Sequence, residues 1–414
     1  MIRWLTRSRL SMQRLGFCKA AVLLSGSVSS SGELAQLMRE KLQARTVEVP
    51  GSPELDAWLA SRRNQVRVEM NEGPSRAIPL QRYYVLHHPS RTGWLSREAF
   101  NEYAEYLARR LGFLDDAFRR TEAGDLLVDV FMRSDEREGF EQGEPHGNIL
   151  VLDTRQRVLF LYRLLAADGD FLLPYARSIA SQFGTSRFTY LEAGGLLPGV
   201  CREVARTFSG YAYTADDREM LDKLDSTATR IEKQIAESIE TKGSGSRREQ
   251  TSIPRLEWLI DLGLAQRQPT EDSTRVFALT EEGRRFALQA FSQYEQYLSR
   301  GVYADNALTS VLDDHFYDLV SQLYFGGEAK QWDEGDPVDF LRPAFDALSK
   351  MRGYYLLRPL LLLANLNALQ SELPRFLEYS KVRDLLETAY QAAPDRFSYT
   401  IDRFATDYQL RILD

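Results

Sequence analysis

The sequence runs to 414 residues, too many for one ordinary core, and length alone suggests two to four domains. Apolar residues make up 43% and charged residues 27%, a globular balance that excludes wholesale disorder. The net charge of −7 argues against a protein that coats nucleic acid over its whole surface and leaves room only for a local basic face.

Residues 1–79 read as a basic arm followed by a βαβ-like appendage. The first nineteen residues carry Arg3, Arg7, Arg9, Arg14 and Lys19 and no acid. Such a start resembles an organellar or secretory leader, but the apolar stretch behind it is short and lacks a clear cleavage site, so a basic arm is expected. KAAVLLSG then reads as a strand, SGELAQLMREKLQ as a helix and TVEV as a strand. The connecting GSVSSSGE resembles a phosphate-binding loop, with Gly26 in the first glycine position. It departs from that pattern at Ser31, Gly32 and Glu33, which replace the second glycine, the phosphate lysine and the magnesium-binding hydroxyl. A carboxylate in place of that chemistry is hostile to ATP, so no cofactor is expected, and a nucleotide-binding enzyme built on this degenerate loop stands only as a further alternative.

Residues 80–140 form a first helix–hairpin–helix. REAFNEYAEYLARRLGFL places Phe100, Tyr103, Ala104, Leu107 and Leu111 on one helical face, after Ser96 as N-cap. Gly112 sits where a left-handed C-cap belongs, Asp115–Asp116 can turn, and Thr121 can cap TEAGDLLVDVF. Residues 150–240 read as a helical middle region. QRVLFLYRLLAADGDFLLPYARSIASQF divides into two helices at Asp168-Gly169-Asp170. The Gly-Gly of TYLEAGGLLPG has nothing to mark it as a nucleotide loop rather than a hinge, and DREMLDKLDSTATRIEKQIAESIETKG carries i,i+4 charge pairs.

Residues 241–300 repeat the first plan more clearly. KGSGSRREQ at 242–250 is a flexible basic loop. SIPRLEWLIDLGLAQRQ then starts a helix at Ser252, with Pro254 in the first turn and Leu256, Leu259, Ile260 and Leu264 buried, and Gly263 stops it. Leu264 onward makes a strand, TRVFALT returns, and Thr280 caps TEEGRRFALQAFSQYEQYL. Residues 301–414 form a helical region as far as Ala393, closing in a hairpin over FSYTIDRFATDYQLRIL with its turn near Arg403–Thr406. The run LLRPLLLLANL at 356–366 is half the length of a membrane span and contains Arg358 and Asn365, so it reads as a buried helix and no membrane contact is expected.

The two repeats resemble winged-helix domains, whose pattern is a recognition helix ending in Leu-Gly-Leu, a hairpin wing, and Leu-Thr-x-x-Gly-Arg opening the next helix. The second matches through Leu262, Gly263, Leu264, Leu279, Thr280, Gly283 and Arg284. The first departs at Arg120 and Asp125, and a third helix-plus-hairpin closes the sequence. The expected fold is therefore α+β and mainly helical, with several winged-helix-like units. The resemblance implies DNA binding, with the start of the recognition helix in the major groove and the wing near phosphate. The residues so placed are Arg247, Arg248, Gln250, Thr251, Ser252 and Arg255, with Arg267 and Arg275 flanking the wing.

Glu249, Glu257, Asp261, Glu271 and Asp272 largely cancel the charge of that stretch, which fits winged helices that dock partner protein subunits equally well. Catalysis is not signposted. His87–His88 lack further ligands, Asp168 and Asp170 read as solvated turn acids, and no nucleophile–base arrangement stands out. Two cysteines, Cys18 and Cys201, without zinc or disulfide spacing, suggest a reducing, cytoplasmic setting and no metal.

Overall fold

The computed structural model describes residues 2–5, 14–43, 46–50, 75–79, 101–142, 150–211, 214–237, 247–268, 276–302, 304–333, 335–349, 354–401 and 407–413. Ser96, Phe100, His87, His88, the wing tip with Arg275, and the closing turn near Arg403 lie outside them. The chain is mainly helical, with few strands gathered in small sheets. Among the described residues nearly all buried apolar side chains join one cluster, from Ile2 to Ile412.

The first elements are α1 (Leu15–Leu24) and α2 (Ser31–Gln43), then the antiparallel pair β1 (Thr46–Pro50) and β2 (Ser75–Pro79). The strand expected over KAAVLLSG is thus helix. All ten residues of α1 are buried, so the segment shows no polar face from which a helical period could be read. Residues 2–5 are no free basic arm either, because Ile2, Trp4 and Leu5 are buried.

The first repeat comprises α3, a π-helical stretch Glu102–Leu107 running into Ala108–Arg110, a single bridge between Leu114 and Arg120, and α4, Glu122–Asp125 continued by Leu126–Phe131. After α5 (Ser134–Gln142) comes α6 (Thr154–Phe183), a 30-residue helix about 45 Å long. It starts in a capping box between Asp153 and Gln156 and ends before Gly184, whose φ is +59°. The break expected at Asp168-Gly169-Asp170 does not occur, and both acids are fully buried. Gly169 lets α6 approach Leu308 closely, since a Cβ there would lie 2.5 Å from its Cδ2.

Next come β3 (Phe188–Thr189), α7 (Tyr190–Phe208), α8 (Ala215–Ala236) and α9 (Arg247–Asp261). The glycine pair Gly194–Gly195 lies inside α7, and α9 absorbs Arg247 to Gln250 from the expected loop. The hairpin β4 (Ala265–Gln268) and β5 (Val276–Leu279) joins β3 in an antiparallel sheet of order β3-β5-β4, followed by α10 (Glu281–Ser299). The remainder holds α11 (Ala304–Asp314), α12 (Phe316–Tyr324), β6 (Lys330–Gln331), α13 (Pro337–Ser349), β7 (Tyr355–Leu356) and α14 (Leu357–Leu369). It closes with β8 (Arg375–Phe376), α15 (Tyr379–Ala392), β9 (Phe397–Ile401) and β10 (Tyr408–Ile412). The expected closing hairpin is present, with β10 also pairing with β7. Among the described residues no helix is long and apolar enough to cross a membrane.

Candidate functional site

The paired Leu-Gly and Thr-Glu-x-Gly motifs have one shared explanation. Gly263, at φ +74°, ends α9: its N–H donates to Ile260 O and the Leu264 N–H reaches back to Leu259 O. Gly112, at φ +69°, ends α3 in the same way, through Arg109 and Ala108. These are Schellman stops, in which a left-handed glycine lets two orphan carbonyls find donors. Each chain then returns. The Thr280 N–H donates to Leu264 O and the Thr121 N–H to Phe113 O, both at 3.0 Å. The threonine hydroxyls accept from Gly283 N and Gly124 N, capping α10 and α4. Gly283 and Gly124 are glycines because that first helical turn rests on the carbonyl of the residue after the helix-stopping glycine. An added Cβ would lie 1.9 Å from Leu264 O and 2.4 Å from Phe113 O.

The candidate reading residues lie at the other end of α9, where the structure turns most of them inward. Arg255 is fully buried, and its Nε and Nη2 each donate to the Asp168 carboxylate at 2.8 Å. It also donates to Thr251 O and Leu5 O and stacks 4.5 Å above the Phe171 ring. Ser252 is buried against Tyr175, hydroxyl to hydroxyl at 2.7 Å, and Thr251 is buried beside it. Arg248 is half-buried. It donates to Leu191 O, and its stem lies in the space left by Gly194, where a Cβ would meet Cγ at 2.6 Å. Gln250 is half-exposed, and Arg247 lies in the first turn of α9. Arg267, on β4, pairs with the buried Glu257 and sits 5.9 Å from the Phe277 ring.

Two of the acids that offset the arginines in sequence, Glu257 and Asp261, meet cations in space. Glu257 and Asp261, one helical turn apart, face Arg14, which bonds to both, and the Leu15 N–H donates to Asp261 at 2.7 Å. Burial pushes Asp261 up to about 6 against the opposing pull of Arg14. From Thr251 to Leu259 no residue of α9 is solvent-exposed.

The structure adds a cluster where the sequence suggests a turn. Asp168 accepts from the Leu5 N–H, and Asp170 accepts from the Arg3 N–H, each at 2.7 Å. Tyr294 donates to Asp170 at 3.4 Å. Burial raises both carboxyls, Asp170 to about 7. Two acids with apolar residues on both sides, in a stretch without a Pro-Gly cluster, were the available signal.

Ahead of α2, Glu33 folds back to accept from Ser29 N at 2.9 Å and Ser29 Oγ at 3.1 Å, bonds that hold its carboxyl below the usual range. The first turn of α2 thus carries a carboxylate, the Glu33 N–H is capped by Ser30 Oγ at 3.3 Å, and the segment before it is helix rather than strand. A cavity of about 600 Å³ opens beside Gly26 and Ser27, lined by Lys41, Arg120 and Arg137 together with Asp129 and Glu138. Asp129 lies 3.7 Å from Arg120 and 3.2 Å from Arg137, so the lining is internally paired. Among the described residues, no three or more His, Cys, Asp or Glu side chains are grouped to hold a metal. Comparison with protein-family models, with curated proteins and with solved structures finds no match to this chain.

Proposed function

We propose that this chain acts by binding rather than catalysis, through winged-helix-type units that engage protein. Supporting the winged-helix reading of residues 188–299 are the antiparallel order β3-β5-β4 and the glycine-stopped entry from α9 into β4. The observation that carries the protein-contact reading is the burial of α9 from Thr251 to Leu259, with its charged side chains paired inside the chain. A helix that reads bases needs one open face to lay against the groove. The outer edge of β9 adds to this reading. It has no further strand beside it among the described residues, bears no charge from Phe397 to Ile401, and leaves Ile401 60% exposed. Such an edge accepts an extended partner segment by main-chain pairing.

DNA binding is the second reading, favoured by the glycine-stopped helix and hairpin that the resemblance implies, and it requires α9 to be uncovered. A mobility-shift series on duplex DNA across salt concentrations separates the two. The protein-contact reading expects weak retention, unaffected by Arg247→Ala and Arg248→Ala. Retention that falls steeply with salt and is lost in those variants would overturn it in favour of DNA.

A further inference from the structure

We propose that β9 pairs with the β9 of a second copy of this chain, antiparallel and about a two-fold axis at Tyr399, joining the two sheets into one. This rests on the protein-contact reading above and names the partner for its open edge. The hydrogen-bond pattern says which main-chain groups are free. The Leu413 N–H donates to Arg396 O at 3.0 Å, and the register runs from Phe397 opposite Ile412 to Ile401 opposite Tyr408. Antiparallel bonding alternates along a strand, so Ser398 and Thr400 turn their N–H and C=O to β10, while Phe397, Tyr399 and Ile401 turn theirs outward. Among the described residues no strand takes them up. The strand also carries none of the charges or prolines that guard an open edge.

The edge is complementary to itself. Turned about Tyr399, Phe397 meets Ile401 and Tyr399 meets its twin, so every outward N–H finds an outward C=O of the other copy. The side chains agree with that register. Phe397 opposite Ile401 is an aromatic–β-branched pair, and Ser398 opposite Thr400, both exposed in the single copy, sets hydroxyl against hydroxyl. The Tyr399 hydroxyl is buried without a hydrogen-bond partner among the described residues, and pairing brings a second hydroxyl to the same face. Ile401, 60% exposed, and Tyr390, whose ring lies 5.8 Å from that of Phe397, add apolar area to cover. In sequence the symmetry continues. Asp395-Arg396 precede the strand and Asp402-Arg403 follow it, so the same register sets each acid opposite a base. Asp402 and Arg403 lie outside the described residues, and pairing over 397–401 does not need them.

Analytical ultracentrifugation of the full chain over a concentration series tests this. The unaltered chain should be a reversible dimer. Ser398→Lys with Thr400→Lys sets like charges directly opposite and should weaken the dimer at least ~10-fold. Ser398→Lys with Thr400→Glu sets opposite charges in the same places and should stay within ~3-fold of the unaltered chain. Both positions are exposed, so the fold should tolerate either change. A chain that is monomeric at its highest soluble concentration overturns the proposal, and so does a dimer that both variants weaken alike or leave untouched. Should a variant fail to fold, hydrogen exchange on the unaltered chain decides. The outward Tyr399 amide should exchange at least ~10-fold more slowly in concentrated than in dilute protein, and a rate independent of concentration ends the idea. A monomer that also fails to retain duplex DNA removes this partner and leaves the protein-contact reading standing. A dimer that retains DNA with a steep salt dependence keeps the edge pairing and overturns that reading of α9.

Discussion

Asp168 and Arg255 lie 87 residues apart in sequence, share two hydrogen bonds of 2.8 Å, and expose nothing to solvent. Removing one member strands the other charge in the core. Arg255→Met is expected to cost about 3–5 kcal/mol of unfolding free energy, measured by urea titration. Arg255→Met combined with Asp168→Leu should be less destabilised than Arg255→Met alone, because the stranded carboxylate is gone.

Glycine to alanine inside a helix ordinarily stabilises by about 0.5–1 kcal/mol. Gly199, in α7 with nothing within 4 Å of its added Cβ, should follow that rule. Gly283 should reverse it, because its Cβ would drive into Leu264 O at 1.9 Å, and Gly124 should reverse it less severely. Thermal melts of the three variants give the comparison. Equal and positive shifts at Gly199 and Gly283 would remove the explanation offered for the Thr-Glu-x-Gly motif.

Thr280→Ala and Thr121→Ala should each cost about 1 kcal/mol by leaving a helix N–H uncapped, and Thr→Ser should restore most of it. Because the two caps share the same bonding plan, urea titration should return similar losses for both.

Desolvation raises several buried carboxyls above their ordinary range, Asp168 and Asp407 among them, with Asp261 at about 6, Asp170 at about 7 and Glu378 at about 8. A carboxyl whose folded-state value is raised holds more protons folded than unfolded. Its contribution is full below the unfolded value and is lost as pH rises through the folded one. Unfolding free energy should therefore fall as pH rises from 5 to 8, at up to about 1.4 kcal/mol per pH unit for each titrating group. Between pH 7 and 8 the decline belongs mainly to Glu378, which accepts from the Tyr317 and Asp318 amides, so Glu378→Gln should flatten that stretch.

The helix–hairpin–helix at 252–290 was legible because its signals are local. Gly263 needs a positive φ, Thr280 offers an oxygen to Gly283, and both effects act within a few residues. The path of the Asp168–Asp170 stretch was not legible, since a turn is its local preference and the partners that bury it, Leu5 and Arg255, are 163 and 87 residues away. KAAVLLSG failed for a different reason: a helix buried on every side, Lys19 included, has no polar stripe to betray its period. Lys19 is covered by Glu136, Gln156 and Val151 O, and burial pulls its ammonium down. The sequence groups the candidate reading residues and shows that their charges largely cancel. It did not show that cancellation happens across the core, through Arg14 and Asp168.

The two cysteines occupy different helices, Cys18 on α1 and Cys201 on α7; both are buried and neither is in a disulfide. Desolvation pushes the Cys18 thiol far up, so it presents almost no thiolate to a reagent while α1 stays packed. An alkylating reagent can mark either sulfur only when its helix lifts away. The native protein thus carries two built-in clocks, and peptide mapping of the marked sites would time the opening of the α1 and α7 regions separately.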